Sequence, residues 1–304
     1  MNPRLDARTA ALLLLPPIFW AGNALVGRAL VGQFPPLALS LLRWALAFAV
    51  IAPFTLPTLW RQRAVLRRWA LPLLAISAVG VAAYNSLQYL ALQTSSVLSV
   101  TLIAASGPVI TLMVGALSFG ARVSRLQWLG AAVSLAGVLV VVTRGEPARL
   151  ATLQLAAGDV IMLIATLCWS LYTWLLRRHR PPLALGPFLT AQIGLGTLMI
   201  LPFAWAEAAL TGARIAWGWP TVGGLLYVAL LPSLAAYWAW DRGVARAGPI
   251  LPMHFANLTP LFAAALAYAL LAEPIAWYHV LGAGLIVGGI AVANRPTPGK
   301  PTIA

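Results

Sequence analysis

The feature that most constrains this chain is a run from Trp69 to Ala121 in which 53 consecutive residues include no Asp, Glu, Lys, Arg or His. At about 1.5 Å per helical residue, the run reaches roughly 80 Å, enough to cross a hydrocarbon core of about 30 Å twice with a turn between. A water-soluble domain has no use for so long an uncharged stretch. The run therefore predicts two neighbouring membrane-spanning helices.

Composition extends this prediction to the whole chain. Hydrophobic residues make up 61% and charged residues 9% of the 304 residues, whereas a soluble domain has about 25% charged residues. The net charge of +14 would suit nucleic acid, but the arginines stand in short clusters between apolar runs, so we expect no nucleic-acid partner. The single cysteine, Cys168, excludes a disulfide framework and a Cys-rich metal site, and we expect neither a metal nor a cofactor.

The apolar runs predict an all-α polytopic membrane protein with ten transmembrane helices. The predicted spans are 9–30, 36–56, 70–91, 95–119, 126–143, 158–176, 184–206, 220–240, 249–272 and 275–293. The first span could be mistaken for a signal peptide. We interpret it as an uncleaved helix, because Pro16-Pro17 interrupts its apolar core and no small-residue cleavage site follows.

The positive charges predict how these spans are oriented. With the N-terminus in the cytoplasm, inner segments carry 15 basic residues and outer loops carry four, Arg28, Arg144, Arg149 and Arg214. Because cytoplasmic loops are enriched in Lys and Arg, we expect both termini on the cytoplasmic side of the inner (plasma) membrane. Five spans in each half then make the second half enter the membrane from the opposite side.

Weak sequence similarity between the two halves of the chain supports two repeats, 1–152 and 153–304, within one membrane domain. At an offset of 152 residues, 88–140 aligns with 240–292 without a gap, and Pro108 meets Pro260. Only 7 of 53 pairs are identical, so the paired prolines and glycines, among them Gly130 with Gly282, carry most of the weight. An inverted-topology repeat of this kind places the substrate at the interface between the halves, near the midplane.

Several segments resemble a known transporter family. They are the run that starts at Tyr89, Tyr-Leu-Ala-Leu-Gln-Thr-Ser-Ser, the helix that ends at Pro108, the segment 248–260, the run Ala272-Glu273-Pro274-Ile275, and the glycine-rich segment 282–289. The chain resembles the drug/metabolite transporter superfamily in its ten-helix EamA-type branch, and is most similar to the YddG-like bacterial exporters of aromatic and neutral amino acids. This resemblance implies a basket of helices 1, 3, 4, 6, 8 and 9 around a central cavity, with helices 5 and 10 outside it. The chain departs from the family at Gly120-Ala121, where Gly-Glu is common, and keeps Glu273 after helix 9.

The side chains themselves also indicate a cavity between the halves. Trp20 and Asn23 share one face of helix 1, and Trp169 and Tyr172 share one face of helix 6, at an offset of 149 residues. On helix 3 the polar face from Tyr84 to Tyr89 covers roughly 140° of the circumference, which is poorly matched to lipid. The predicted substrate-binding residues are Trp20, Asn23, Arg43, Tyr84, Gln88, Ser99, Trp169, Tyr172, Tyr237, His254 and Asn257.

Structural interpretations stand beside the functional ones. The serines of helix 4 are equally typical of close helix packing, and Gly284 with Gly288 reads as a packing pair. Tryptophans near span ends, such as Trp60 and Trp219, are typical interface anchors. Arg43, about eight residues inside helix 2, is either a snorkelling or carbonyl-capping arginine or an anchor for a substrate carboxylate.

The leading hypothesis is a secondary transporter that exports small neutral metabolites, most directly amino acids, across the lipid bilayer. A second hypothesis is broad efflux of drugs or nucleobases, and a third is a membrane enzyme or assembly factor. We expect no enzyme, because a hydrolytic constellation at matching depth is missing, and no primary pump, because no P-loop is present. The sequence is compatible with a monomer and leaves the oligomeric state open.

The acidic residues lead to a prediction about energy coupling. All six, Asp6, Glu146, Asp159, Glu207, Asp241 and Glu273, fall in loops or at the ends of predicted spans. His254 is then the remaining titratable candidate inside a span. We therefore predict transport down the substrate's own gradient, without proton coupling, and a measurable rate in His254→Ala.

Overall fold

The computed structural model describes residues 6–30, 32–151, 153–212, 214–271 and 274–295, and within these ranges the regular secondary structure is helical, with no strand. The principal helices are α1 (Ala7–Ala29), α2 (Pro36–Arg61), α3 (Ala70–Ala91), α4a (Val97–Ala105), α4b (Gly107–Phe119), α5 (Arg125–Val142), α6 (Ala157–His179), α7 (Leu185–Thr211), α8 (Trp219–Ala247), α9a (Ile250–Ala256), α9b (Thr259–Leu271) and α10 (Trp277–Ala293). Short helices at Arg63–Arg68 and Ala148–Ala151 lie in the connections.

The helices are those of a polytopic membrane protein. Within the described residues, seven segments are long and apolar enough to cross a membrane, and the bent pair α4a and α4b makes an eighth if it is one span. Two helices complete the predicted set: α1 lies at the first predicted span, and the 17-residue α10 lies at the last. Ten spans therefore remain a prediction, whereas the all-helical, membrane-spanning class is confirmed.

Two predicted helices are interrupted rather than continuous. The segment predicted over 95–119 begins at Val97 and bends by 42° at Ser106, and the segment predicted over 249–272 stops at Ala256 and restarts at Thr259. Each interruption comes just before a proline, Pro108 or Pro260. A proline has no backbone N–H and its ring collides with the preceding turn, which explains both breaks. The paired prolines therefore mark equivalent breaks in the two halves.

Helices α3 and α8 both contain a wider π-helical segment. These segments are Ala78–Ala83 in α3 and Ala229–Ala235 in α8, and the second includes Pro232. They occupy corresponding positions at the 152-residue offset to within one residue. A π turn has i to i+5 hydrogen bonds and is frequent at functional sites, so both helices carry the same irregularity where they approach the centre of the molecule.

Helices α5 and α10 pack closely through glycines. A Cβ at Gly130 would lie 2.6 Å from the carbonyl oxygen of Gly289, and a Cβ at Gly137 would lie 2.8 Å from that of Gly282. The contact is reciprocal, because Gly282 and Gly289 are the 152-offset counterparts of Gly130 and Gly137. The predicted pair Gly284 and Gly288 was the wrong pair: no described atom lies within 4 Å of a Cβ built on either residue, since both face away from α5.

The remaining helices surround a central core. Helix α2 packs along α7, α6 packs along α3 and α4b, and α1 packs along α8. Their shared core contains Trp44, Trp169, Tyr172, Phe188, Tyr237 and Trp240. Most of the aromatic side chains that the sequence predicted at a cavity wall therefore meet in this core.

Candidate functional site

An aromatic cluster occupies the centre of the helical core. The ring of Trp169 lies 5.4 Å from Trp20, 4.7 Å from Tyr84, 5.0 Å from Tyr172 and 5.4 Å from Tyr237, measured between centroids. We define the aromatic cluster as Trp20, Tyr84, Trp169, Tyr172, Tyr237 and Trp240. The predicted faces of α1, α3, α6 and α8 are thus brought together. Trp240 was missed, although its i+3 spacing from Tyr237 could have identified it.

In this conformation the aromatic rings pack against one another and do not line an open space. Trp169, Tyr172, Tyr237 and Trp240 are buried, and their centroid separations are those of direct ring contacts. The indole Nε1 of Trp20 donates a hydrogen bond of 3.3 Å to the carbonyl of Pro232, inside the π segment of α8. The expected central cavity is therefore closed at this level.

Arg43 forms the main polar group beside the aromatic cluster. The residue is only 1% exposed. Nε donates to Ser233 Oγ at 2.9 Å, and Nη1 donates to Asn85 Oδ1 at 3.1 Å and to Tyr89 Oη at 2.6 Å. The guanidinium also lies 5.2 Å from the ring centroid of Trp44. Residues from α2, α3 and α8 together hold this cation.

These contacts are not those of a snorkelling arginine or of a carbonyl-capping arginine, the two structural interpretations of Arg43. A snorkelling arginine would reach water, and a capping arginine would donate to backbone carbonyls, whereas the partners found here are side chains. Among the described residues no carboxylate pairs with Arg43, and no hydrogen bond from Nη2 is found. Because an uncompensated buried charge is costly, the remaining nitrogen of this guanidinium, Nη2, is suited to an anionic group.

Arg43 is connected to the aromatic cluster by hydrogen bonds through Asn85. Asn85 accepts from Arg43 and donates from Nδ2 to Tyr237 Oη at 3.1 Å. Tyr237 in turn donates to the carbonyl of Gly80 at 2.6 Å, inside the π segment of α3. Asn85 and Tyr237 are 152 residues apart, so corresponding positions of the two halves bond to each other.

Asp241 corrects the prediction that every acid lies in a loop or at a span end. The carboxylate is buried within α8, where Oδ1 accepts from Tyr172 Oη at 2.9 Å and Oδ2 accepts from Gln192 Nε2 at 3.4 Å. The predicted span ended at residue 240, because Asp241 and Arg242 interrupt the apolar run. The structure continues the helix to Ala247, which places the carboxylate inside the helical core.

The other described acids have structural partners near helix ends. Asp6 accepts from the backbone N–H of Thr9 in the first turn of α1, and Asp159 accepts from the N–H of Ala156 just before α6 and from the Ser95 hydroxyl. Glu207 caps the start of α2 at Leu37 and Ala38. Glu146 pairs with Arg149 at 2.8 Å, and the hydrogen bond from Arg149 lowers the pKa of the Glu146 carboxyl. Glu273 lies outside the described residues.

Three predicted site residues lie apart from the hydrogen-bonded network of Arg43. Ser99 is in the first turn of α4a, where its N–H donates to Ser96 Oγ at 3.1 Å. Asn257 donates to Ser134 Oγ of α5 at 2.9 Å, which is a packing contact. His254 is fully buried, and neither ring nitrogen has a hydrogen-bond partner in the described part of the chain.

Asn23 and Gln88 remain candidates for the site. Both are half-buried, and no hydrogen bond of either amide is found among the described residues. Asn23 is one turn beyond Trp20, and Gln88 is one turn beyond Tyr84. A separate cavity of about 370 Å³ includes none of the predicted site residues and is lined by Val141, Val142, Arg144, Ala264, Pro274, Tyr278 and His279.

Comparisons with known proteins agree with a transport role. The model of the EamA-like transporter family matches residues 7–143 and 156–295 separately. An uncharacterized transporter of Bacillus subtilis, YyaM, is 27% identical over 91% of this chain and 90% of its own length. An uncharacterized inner membrane transporter of Escherichia coli, YedA, is 25% identical over 94% of this chain and 92% of its own.

Two further comparisons concern substrate and fold. A probable terminal-alkyne amino-acid exporter of Streptantibioticus cattleyicolor is 26% identical over 95% of this chain and 94% of its own length. A protein crystal structure superposes with a TM-score of 0.75 over 95% of this chain and 97% of the other, at 22% sequence identity. This structural likeness establishes a shared fold.

Proposed function

The chain belongs to the EamA-like transporter family, and from that membership we propose that it is a secondary transporter that exports small neutral metabolites, most directly amino acids. Its place among the YddG-like exporters of aromatic and neutral amino acids is part of this proposal. The protein works as a multi-pass protein of the inner membrane, with ten spans and both termini in the cytoplasm.

The observation that carries the substrate class is the buried guanidinium of Arg43. Its partners Ser233, Asn85 and Tyr89 are all neutral, and Nη2 is left without a described protein partner. A carboxylate suits such a cation, because the Nη2 hydrogens can donate to its oxygens and a hydrogen bond between two charged groups is stronger than one between neutral groups. The neighbouring aromatic cluster supplies apolar surface for the rest of the substrate. A small molecule with a carboxylate and an apolar side chain fits both features.

Alternating access between two inverted halves is supported by several contacts. The reciprocal glycine contacts of α5 and α10 are those expected if the two helices are equivalent, antiparallel and related by a two-fold axis. The bond between Asn85 and Tyr237 and the paired π segments follow the same offset. Because the aromatic cluster lies between the halves, we propose that rocking of one half against the other separates its rings and exposes Arg43.

The test is counterflow of radiolabelled L-phenylalanine in proteoliposomes that contain the purified chain. Unlabelled L-phenylalanine and its carboxamide, L-phenylalaninamide, are compared as competitors. A lost charge-assisted hydrogen bond corresponds to about 1.5–3 kcal/mol, so the amide should compete at least about tenfold less well. Arg43→Gln should abolish this preference, and Arg178→Gln, which changes an exposed arginine, should keep it.

The same assay distinguishes the runner-up function. Broad efflux predicts that adenine and the amide compete as well as the amino acid, because the aromatic cluster stacks on any flat apolar group. Equal competition by acid and amide in the unmodified protein would therefore reject carboxylate recognition at Arg43. Loss of the preference in both arginine variants would reject the site while leaving transport itself in place.

A further inference from the structure

A second polar group adjoins the aromatic cluster at Tyr172, and the proposed substrate contacts do not use its carboxylate. It consists of Asp241 of α8, Tyr172 of α6 and Gln192 of α7, which we define as the Asp241 group. All three side chains are buried. Position 192 corresponds to position 43 at the 149-residue offset, and position 241 corresponds to position 89 at the 152-residue offset. The group is thus the counterpart, in the second half, of the Arg43–Tyr89 contact.

The charges around Asp241 leave its carboxylate without an ion pair in the described chain. Arg180, just after α6, acts on it electrostatically, but the Arg180 guanidinium donates to the carbonyl of Leu183 and lies over Phe188. On α8 itself the guanidinium of Arg242 lies over the ring of Trp238. Helix α7 presents the neutral Gln192 and α6 presents Tyr172.

The other helices packed against this part of α8 add no compensating cation. Helix α9a presents His254, whose ring nitrogens have no described partner, and α1 has Arg8 in its first turn, which is exposed. A charged carboxylate therefore depends on two neutral hydrogen-bond donors inside the helical core, and Arg180 acts on it without a hydrogen bond. Binding of a proton would remove a charge that this interior solvates poorly.

The Asp241 group has hydrogen-bond partners for both protonation states. As an anion, the carboxylate accepts from Tyr172 Oη and Gln192 Nε2. The other amide atom, Gln192 Oε1, is buried and has no hydrogen-bond partner in the described residues. A half-turn of the amide exchanges its nitrogen and oxygen, and presents an acceptor to a protonated Asp241. The orphaned oxygen is accounted for if the site alternates between the two states.

We propose that Asp241 is a proton-binding site and that the protein exchanges protons for substrate. In this step a proton from water adds to Asp241 Oδ2, forms the neutral acid that donates to Gln192 Oε1, and later returns to water on the opposite side of the membrane. No other bond forms or breaks. The exchange part rests on the proposed transport function, whereas proton binding does not. This proposal replaces the prediction of uncoupled transport, whose premise was that the spans contain no carboxylate.

The aromatic cluster connects the two sites. The Tyr172 ring lies 5.0 Å from that of Trp169 and 5.9 Å from that of Tyr237, and Tyr237 contacts Asn85, the partner of Arg43. A hydrogen bond to an ionised acceptor is stronger than one to its neutral form. Protonation therefore loosens the bond that holds Tyr172, and with it one wall of the aromatic cluster.

Proton binding is tested by infrared difference spectroscopy on the purified chain in lipid bilayers, titrated between about pH 5 and pH 8. The carbonyl stretching band of a protonated carboxylic acid should grow as the pH falls. Asp241→Asn should remove this band, and Asp6→Asn, at an exposed carboxylate, should keep it. Tyr172→Phe removes a donor to the anion, so its band should appear at higher pH. A band unchanged in Asp241→Asn would overturn the proton site.

Coupling is tested by loading proteoliposomes with labelled L-phenylalanine at equal concentration on both sides and imposing a pH gradient. The unmodified protein is expected to build up a phenylalanine gradient at the expense of the pH gradient, whereas Asp241→Asn is expected to exchange phenylalanine with no net movement. A protein that exchanges phenylalanine but ignores the pH gradient would overturn the coupling. If the unmodified protein does not exchange phenylalanine at all, the proposed function fails instead, and the proton site is decided by the infrared band.

Discussion

At the scale of single residues, Arg43 and His254 show how differently two buried polar side chains can be held. Arg43 donates to three neutral side chains from two other helices. His254 is equally buried, yet neither of its ring nitrogens has a described partner. The sequence proposed a substrate role for both residues. The contacts favour that role for Arg43 and leave His254 as a core residue.

We predict that His254→Leu keeps or raises the apparent melting temperature of the purified protein and retains counterflow. The change breaks no described hydrogen bond and removes the cost of burying polar nitrogens, about 1–3 kcal/mol. Asn257→Leu is the matched comparison. It leaves the Ser134 hydroxyl without its hydrogen bond from Asn257, so it should lower the melting temperature. Thermal unfolding of both variants, followed by tryptophan fluorescence, decides the matter. A lower melting temperature for His254→Leu than for Asn257→Leu would contradict this view of His254.

We also predict that Trp20→Phe lowers the counterflow rate several-fold without unfolding the protein. Phenylalanine keeps a ring against Trp169 but loses the indole donor to the Pro232 carbonyl. Trp219→Phe is the control, because Trp219 is 89% exposed and belongs to the predicted interface belt. Equal losses in both variants would mean that the rate depends on tryptophan content rather than on the aromatic cluster.

At the scale of helices, the contact between α5 and α10 depends on the absence of side chains at four positions. We predict that Gly137→Ala lowers the melting temperature, because its Cβ would lie 2.8 Å from the Gly282 carbonyl oxygen and would force the helices apart. Overpacking of this kind costs about 1–3 kcal/mol. Gly284→Ala meets no described atom within 4 Å, so it should be neutral or slightly stabilising, since alanine is the better helix former. The reverse order of melting temperatures would contradict the assigned interface.

The helix positions could be predicted from the sequence, because a membrane interior demands long apolar runs and leaves little choice of element. The i, i+3 spacing of Trp169 with Tyr172 was also sufficient to predict the inward face of α6, against which Trp20 of α1 packs. The spans were predicted from uncharged apolar runs, and for this reason Asp241 was placed at the end of its span rather than inside it. A rule that ends a span at the first charged residues cannot recognise a carboxylate held by Tyr172 and Gln192, which are distant in sequence.

Contacts between residues that are distant in sequence could not be predicted from local spacing patterns. Asn257 was predicted at the substrate site from its spacing to His254, but its partner Ser134 is 123 residues away. The choice between Gly284 and Gly282 at the α10 contact likewise depends on how that helix is rotated against α5. Spacing shows which residues share a face, and packing alone decides what that face meets.

At the scale of the whole molecule, the orientation predicted from loop charge can be tested directly. In a Cys168→Ala background, a cysteine at Ala64 should react with a membrane-impermeant thiol reagent only from the cytoplasmic side, and one at Ala216 only from the outside. Both alanines are exposed. The nearby Gly212 is avoided, because its φ of 61° would strain a cysteine at that position. Labelling of both cysteines from one side would exclude the inverted arrangement.

The π segments of α3 and α8 have a mechanical consequence. Each π turn contains one residue more than an α-helical turn. If the π turn moves along the helix, the stretch that it passes rotates by about 100°, while both ends of the helix stay in place. In α3 the stretch next to the segment carries Tyr84 and Asn85, and in α8 it carries Tyr237. The contacts of Arg43 with Asn85 and the Asp241 group both depend on these stretches. Shifts of the two π segments would therefore rotate the side chains of both helices about the helix axes, while the loops at either membrane surface keep their positions.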